Sequence, residues 1–204
     1  MGKEINLLEN YPKTTRNTSE RKIIKNKEII LTAKKYGYDY FDGDRKYGYG
    51  GYNYNPKYWS KVSMDLIKYY NLNNDSSILD IGCAKGFLLY EFKKNLPKIK
   101  IQGVDISEYA IQNAKPEVKE FIHQGNAVNL PYPNNTFDLV LSIVTLHNLK
   151  IEDLKKALNE ISRVSKKNAF ITLDAYSNET EKKNMEDWNL TAETVMSKKN
   201  WVKF

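Results

Sequence analysis

The residues best placed to do chemistry are the small and acidic ones in DIGCAKG, at positions 80–86. The stretch follows the apolar run SILDI, so it lies where a buried strand would give way to a helix. Small residues at such a junction let a ligand approach the backbone. A dinucleotide site would show GxGxxG. Here Gly82 and Gly86 flank Ala84 and follow Asp80, which makes the pattern DxGxAxG.

A second acid, Asp105, ends the next apolar run in QGVDIS and follows Gly86 by 19 residues. A carboxylate at the end of a strand can accept hydrogen bonds from both hydroxyls of a ribose. Each acid also has a structural alternative: Asp80 could cap a turn, and Asp105 could cap the helix that follows it. The order and spacing of the two acids favour a ligand site.

These motifs resemble those of the class I S-adenosylmethionine-dependent methyltransferases. QGNAVNLPYPNNTFDLVLS is similar to the stretch between strands three and four of that family, and SIVTLHNL to its segment after strand four. The resemblance covers residues 77–175. It implies an α/β fold, Rossmann-like and doubly wound, with a mainly parallel sheet and helices on both faces. The family sheet usually has seven strands, but residues for strands six and seven are missing, so we expect five.

The resemblance also implies S-adenosyl-L-methionine as the cofactor and S-adenosyl-L-homocysteine as the product. Gly82, Ala84 and Gly86 would let the backbone lie against the methionyl part and the ribose. Asp80 would meet the ammonium end, and Asp105 would hold the ribose. The remaining predicted cofactor contacts are Asn126 for the adenine amino group, Ala127 for the ring edge, and Cys83, Ile106 and Ser142.

The acceptor side is predicted from the stretch Tyr36–Trp59, which holds eight of the fifteen tyrosines and five glycines. Tyrosine offers rigid apolar area with a polar tip, and glycine allows a hinge. We expect this segment to form a lid, with Tyr47, Tyr49 and Tyr52 facing the site and Arg45 available for an anionic group. The alternative is a low-complexity loop packed on the edge of the sheet.

His147 is the predicted general base, because it follows strand four at the mouth of the expected site. It would also contact the substrate. The alternative is a histidine that packs the turn. His123, inside the third predicted strand, is interpreted as structural. Only these two histidines and one cysteine, Cys83, are present, so disulfides within the chain are excluded and no metal site is expected.

Around these motifs the chain divides into three predicted parts. Residues 1–76 form an N-terminal arm and cap: an irregular stretch over 1–17, a helix over 19–37, the Tyr/Gly segment and a helix capped by Asn55. Residues 77–175 alternate strands and helices, which predicts the parallel cofactor-binding core. Residues 176–204 form a helical segment with a break near 189–191.

The composition limits which partners the protein is expected to have. No apolar run is long enough to span a membrane, and the N-terminus has no hydrophobic signal core, so we expect a cytoplasmic protein. The net charge is +7, and residues 1–35 carry nine Lys and Arg against four acids. This excess is more typical of a solvated surface than of a nucleic-acid site. An exposed edge strand would allow a homodimer.

The sequence therefore predicts a methyltransferase for a small-molecule acceptor, such as a sugar or secondary-metabolite hydroxyl or amine, beneath an aromatic cap. Two alternatives stay open. The basic N-terminal region and its tyrosines could hold unpaired bases, which would make the chain an RNA methyltransferase. The missing strands would instead suit a noncatalytic cofactor-binding or partner protein.

Overall fold

The computed structural model describes residues 2–13 and 16–204. Three residues of the predicted irregular arm, Met1, Thr14 and Thr15, lie outside the described residues. The strands are β1 Ser77–Ile81, β2 Lys100–Asp105, β3 Ile122–Gln124, β4 Phe137–Ile143, β5 Ser165–Thr172, β6 Ala175–Tyr176 and β7 Met196–Ser197. The helices are α1 Thr18–Ile24, α2 Lys27–Ala33, α3 Tyr38–Phe41, α4 Pro56–Tyr70, α5 Phe87–Asn95, α6 Glu108–Gln112, α7 Ile151–Val164, α8 Glu179–Trp188 and α9 Lys198–Lys203.

The first five strands form one sheet in the order β3-β2-β1-β4-β5, and every neighbouring pair is parallel. This confirms the predicted Rossmann-like sheet of five strands. Strands β2 and β4 flank β1, so the strand order reverses direction there. In open parallel sheets this switch point opens a crevice at the carboxyl ends of the strands. Asp80, Asp105 and the residues after Ile143 all lie at that end of the sheet.

Both faces of the sheet are buried, and β1 shows why its sequence is almost entirely apolar. Its successive side chains point to opposite faces. Ile78 packs with Leu66 of α4 and Phe92 of α5, whereas Leu79 packs on the other face with Ile161 of α7. All five of these side chains are almost completely shielded from solvent. The helices thus hold the carboxyl ends of the strands in fixed positions.

The single helix predicted over 19–37 is wrong, because the chain forms two short helices with a break at Lys25 and Asn26. The side chain of Asn26 accepts a hydrogen bond from the amide of Ile29 and so begins α2. The ammonium of Lys25 donates to the main-chain carbonyls of Glu186 and Asn189 at the end of α8. The hydrophobic pattern of residues 19–37 cannot predict these contacts, because their partners lie in the C-terminal segment.

The C-terminal segment differs from the purely helical prediction. The helix α8 ends at Trp188, close to the predicted break, but the chain then forms the short strand β7 before α9. Strand β7 pairs in parallel with β6 in a separate two-stranded sheet. Such a two-residue strand carries no detectable period in the sequence, so only the tertiary contact defines it.

Substitution of Gly86 by alanine should lower the free energy of unfolding by about 2 kcal/mol. Gly86 has a φ of +74°, and a Cβ there would lie 2.5 Å from Cδ1 of Ile122. Chemical denaturation measures the effect. The matched control is Gly37→Ala, because Gly37 has a φ of −91° and no heavy atom lies within 4 Å of the added Cβ. Equal stability of the two variants would contradict the prediction.

Candidate functional site

The turn between β1 and α5 adopts a left-handed backbone at three positions. The φ angles are +77° at Gly82, +49° at Ala84 and +74° at Gly86. The amide of Gly82 donates to the carbonyl of Val104 in β2 at 2.7 Å, and the amide of Gly86 donates to the carbonyl of Cys83 at 2.9 Å. Glycine adopts such angles without steric cost. The turn therefore curls over the carboxyl end of the sheet.

Ala84 is the exception, because an alanine in the left-handed region costs about 1–2 kcal/mol. Its amide donates to Oδ2 of Asp105 at 2.7 Å. A hydrogen bond to a charged group contributes about 1.5–3 kcal/mol, which is enough to offset the backbone cost. The alanine in the DxGxAxG pattern is thus tolerated because the acid at the end of β2 holds its amide.

Asp105 also binds its own chain, since its Oδ1 accepts from the amide of Ser107 at 2.8 Å. Burial raises the pKa of Asp105, and the hydrogen bonds from Ser107 and Ala84 oppose that rise. Each carboxylate oxygen has two lone pairs, so both oxygens keep capacity for a further donor. A pair of ribose hydroxyls would suit the remaining capacity.

Asp80 is buried beneath the same turn and has an unusual pKa. Burial, together with the nearby charge of Asp105, raises the pKa of Asp80 to about 7. A cation beside the carboxyl would relieve both effects, because it favours the ionised form. The chemistry of this position therefore suits an ammonium group.

These residues open into a cavity of about 530 Å³ at the carboxyl end of the sheet. The size lies within the range of small-molecule and cofactor sites. Among the predicted cofactor contacts, those that line the cavity are Asp80, Gly82, Cys83, Ala84, Asp105, Ile106, Asn126 and Ala127. The structure thus brings together most of the residues that the sequence separates by up to 47 positions.

Two predicted cofactor contacts do not line the cavity. Gly86 begins α5 and faces Ile122 and Val118 of the core. Ser142 is completely buried inside β4, where its hydroxyl donates to the carbonyl of Ile81 at 3.3 Å. Both residues therefore support the frame of the site rather than its surface.

Aromatic side chains of the Tyr/Gly segment form one wall of the cavity, called here the aromatic wall. Tyr52 stacks on Phe87 with ring centres 5.1 Å apart, and Tyr49 lies 4.5 Å from Tyr52. Phe41 is buried beside them and also lines the cavity. Two of the four predicted lid residues, Tyr49 and Tyr52, line the cavity. The segment contains the helical turn α3 and is an ordered wall rather than a loop on the sheet edge.

A buried ion pair fastens this wall to the turn after β1. The ammonium of Lys85 lies 2.6 Å from Oδ2 of Asp42, which also accepts from the hydroxyl of Tyr109 at 2.7 Å. Oδ1 of Asp42 accepts from the amide of Tyr52 at 2.9 Å. Burial alone would raise the pKa of Asp42, but the bonds from Lys85 and Tyr109 outweigh it and lower that pKa. Asp42 therefore connects the aromatic wall to the turn after β1, which forms the floor of the cavity.

Two other predicted lid residues face away from the cavity. The ring of Tyr47 packs on the cluster formed by Ile29, Ala33 and Leu190. The guanidinium of Arg45 lies 5.3 Å from the ring centre of Trp188 in α8 and donates to the carbonyl of Gly48. Because the segment is not a regular strand or helix, its sequence carries no period that would indicate which side chains face inward.

His147 is buried beside Asp174 and does not line the cavity, although its neighbours Leu146 and Asn148 do. Its Nε2 lies 4.0 Å from Oδ2 of Asp174. Burial lowers the pKa of His147, the charge of Asp174 raises it, and the charge of Arg16 lowers it. The main-chain carbonyl of His147 accepts from the amides at 193 and 194. The histidine thus packs the turn against the C-terminal segment.

The sequence prediction missed part of the cavity wall. Leu8, Tyr11 and Arg16 line the cavity although the stretch 1–17 was interpreted as irregular. The arm contains no helix or strand over its described residues, yet Tyr11 packs 4.9 Å from Trp59. The alternation of apolar residues near the N-terminus is the sequence signal that indicates a packed segment. The other missed aromatic residues are Tyr36, Tyr40, Phe41, Trp59 and Phe87.

The parts of the chain that the structure describes contain no cluster of three or more His, Cys, Asp and Glu side chains suited to a metal ion. Within those same ranges, no helix combines the length and apolar character needed to cross a membrane.

Comparison with known proteins adds independent findings. A family described as "Methyltransferase domain" matches residues 72–204. A demethylmenaquinone methyltransferase from Symbiobacterium thermophilum is 33% identical over 126 residues, which cover 57% of this chain and 49% of the relative. A tRNA (carboxymethyluridine(34)-5-O)-methyltransferase from Arabidopsis thaliana is 33% identical over 148 residues, which cover 71% of this chain and 34% of the relative. This chain therefore matches half or less of the length of these relatives.

The fold itself matches solved structures. The YcgJ protein from Bacillus subtilis superposes with a TM-score of 0.56 at 23% sequence identity, over 69% of this chain and 64% of that one. At this identity the likeness concerns the fold alone.

Replacement of Asp80 by asparagine should change how stability depends on pH. Because burial raises the folded pKa from 3.8 to about 7, folding takes up a proton over this range. The wild-type free energy of unfolding should therefore fall by roughly 1 kcal/mol per pH unit between about pH 4 and about pH 7. Asp80→Asn should lack this slope in urea denaturation. The exposed Asp75→Asn is the control, and parallel profiles for Asp80→Asn and the wild type would contradict the prediction.

Proposed function

This chain belongs to the class I S-adenosylmethionine-dependent methyltransferase family, and from that premise we propose that it methylates a small-molecule acceptor held beneath its aromatic wall. The observation that carries the proposal is that both groups of residues line the same cavity. It joins the residues of the DxGxAxG turn and Asp105 to Tyr49 and Tyr52 of the wall. The methyl donor and the acceptor would thus lie side by side in one cavity.

The residues present fit S-adenosyl-L-methionine. Asp80 offers a buried carboxyl that a cation would ionise, and Asp105 keeps free lone pairs for two hydroxyls. Asn126 and Ala127 line the cavity beyond the end of β2, where the adenine is expected. The bound cofactor would supply a methyl group on a positively charged sulfur. The protein's part is then to orient the two reactants and to exclude water.

The aromatic wall supports a small, partly apolar acceptor. Eight tyrosine, phenylalanine and tryptophan side chains line the cavity, and such surfaces bind flat or apolar groups. The proposal does not use His147 as general base, because its ring is buried behind the cavity wall. An acceptor that is already deprotonated, or that loses its proton to water, needs no such base.

An RNA acceptor is the second candidate, and the similarity to the tRNA methyltransferase from Arabidopsis thaliana favours it. The two candidates separate in one assay. The protein is incubated with cofactor that carries a labelled methyl group and with either total RNA or the small-molecule fraction of a cell lysate. Label in the small-molecule fraction supports the proposal, and label only in RNA supports the alternative.

Asp105→Ala should weaken the binding of S-adenosylhomocysteine about tenfold or more, because hydrogen bonds to a charged group contribute about 1.5–3 kcal/mol each. The loss also frees the amide of Ala84, which Asp105 holds at 2.7 Å. Isothermal titration calorimetry measures the affinity. The exposed Asp75→Ala serves as the control. An unchanged affinity in Asp105→Ala would remove the basis of the site assignment.

Tyr49→Ala should reduce methyl transfer to the small-molecule fraction about three- to tenfold, the range expected for loss of one aromatic contact. Affinity for S-adenosylhomocysteine should change little, because the ring belongs to the wall rather than to the glycine turn. Tyr69→Ala is the matched control, since both tyrosines are 47% exposed and Tyr69 lies on α4 away from the cavity. Transfer that is equal in the two variants would exclude the wall from acceptor binding.

A further inference from the structure

The cavity contains one cationic side chain that the proposed function does not use. Arg16 is the sole Lys, Arg or His among the described residues that line it, whereas Asp80 and Asp105 supply the acidic groups. Arg16 is exposed overall, so its guanidinium contacts both the cavity and solvent.

Arg16 belongs to a group of three arginines around Trp188. The guanidinium carbons of Arg16, Arg21 and Arg45 lie 5.4, 4.9 and 5.3 Å from the centre of its ring. Within residues 2–13 and 16–204, none of the three forms an ion pair with a carboxylate. Three positive charges therefore lie around one ring, and the acidic neighbour that opposes the lowered pKa of Arg21 is Glu20, which forms no direct ion pair with it.

Two of these arginines donate hydrogen bonds to main-chain carbonyls. Arg21 donates to the carbonyls of Lys46 and Arg45, and Arg45 donates to the carbonyl of Gly48. No hydrogen bond joins the guanidinium of Arg16 to another described residue. Arg21 and Arg45 thus connect the wall to α1 and α8, whereas Arg16 makes no side-chain hydrogen bond within residues 2–13 and 16–204 and lines the cavity.

The electrostatics of the cluster favour an anion. Burial lowers the pKa of Arg21, and the charge of Arg45 lowers it further. Arg21 is buried, whereas Arg16 and Arg45 are exposed. Like charges that lie together attract a negatively charged group. The potential at Arg16 is therefore more positive than its own charge alone would make it.

The charge of Arg16 acts on residues on two sides of the cavity. Its charge is felt at His147, after the effects of burial and Asp174, and at Tyr11, after those of burial and Tyr58. The charge of Asp105 is instead among the causes that raise the pKa of Tyr36 and Tyr40, after burial. The cation and the acid predicted to hold the ribose thus influence different parts of the wall.

We propose that Arg16 binds an oxyanion, a carboxylate or a phosphate group, carried by a small molecule in this cavity. The guanidinium fork matches such a group with two parallel hydrogen bonds, and Trp188 supports the plane of the fork. The inference rests on the proposed function and extends it. The oxyanion belongs either to the amino-acid end of the methyl donor or to the acceptor.

The first arm of the test decides whether the oxyanion is that of the donor. Calorimetry compares S-adenosylhomocysteine with 5′-methylthioadenosine, which keeps the nucleoside and sulfur but lacks the amino-acid carboxylate. If Arg16 binds the donor, Arg16→Ala weakens S-adenosylhomocysteine about tenfold or more and leaves 5′-methylthioadenosine unchanged. The affinity of Arg16→Lys for S-adenosylhomocysteine should lie between those of the wild type and Arg16→Ala, because lysine keeps the charge but lacks the planar fork of donors. Lys13→Ala, which removes one exposed positive charge from the same arm, should match the wild type.

The second arm tests the acceptor side with benzoate and inorganic phosphate as probes and benzyl alcohol as the neutral counterpart. Their binding is followed by NMR on the protein alone and on the protein saturated with S-adenosylhomocysteine. If the oxyanion belongs to the acceptor, Arg16→Ala loses benzoate or phosphate binding in both conditions, and Lys13→Ala retains it. Benzyl alcohol should bind equally to both variants.

The proposal is overturned if Arg16→Ala alters neither the preference for S-adenosylhomocysteine over 5′-methylthioadenosine nor the binding of either anion. Failure of the proposed function looks different, because label from the methyl donor would then be absent from the small-molecule fraction. In that case the anion probes on the protein alone still decide whether Arg16 is an oxyanion site.

Discussion

The carboxylate of Asp105 is the contact on which the site depends. It accepts the amide of Ala84 and so holds the turn after β1 in a left-handed backbone that alanine would otherwise avoid. Strand β2 ends at Asp105 beside β1, and the register of the parallel pair brings the acid to the turn. A residue expected to bind the ribose is thus also a structural part of the loop that we propose as the cofactor site.

The same turn also determines where the aromatic wall lies. Lys85, within the turn, reaches Asp42 at 2.6 Å, and Asp42 holds the amide of Tyr52. A buried ion pair gains little stability by itself, because desolvation offsets the attraction. Here the additional bond from Tyr109 satisfies the carboxylate, so the pair specifies one position of the wall. The floor and the wall of the cavity are therefore coupled through four residues.

Charge is distributed unevenly along the cavity. The buried acids Asp80 and Asp105 lie at the end of the sheet, and burial raises the pKa of both. The arginine group around Trp188 lies against α1 and α8, with Arg16 reaching the cavity. Such an arrangement suits a molecule with a cationic group and an anionic group, or two molecules of opposite charge, because each end stabilises one sign.

The sequence by itself determined the parallel sheet, the glycine turn and the acid after β2, because strand–helix alternation and turn residues are local patterns. It also indicated that the aromatic segment belongs beside the site. Only the tertiary structure decided that Tyr49 faces the cavity while Tyr47 does not, that His147 turns away, and that Arg16 enters it. These orientations depend on contacts between residues distant in the chain, such as Lys85 with Asp42, which no local period encodes.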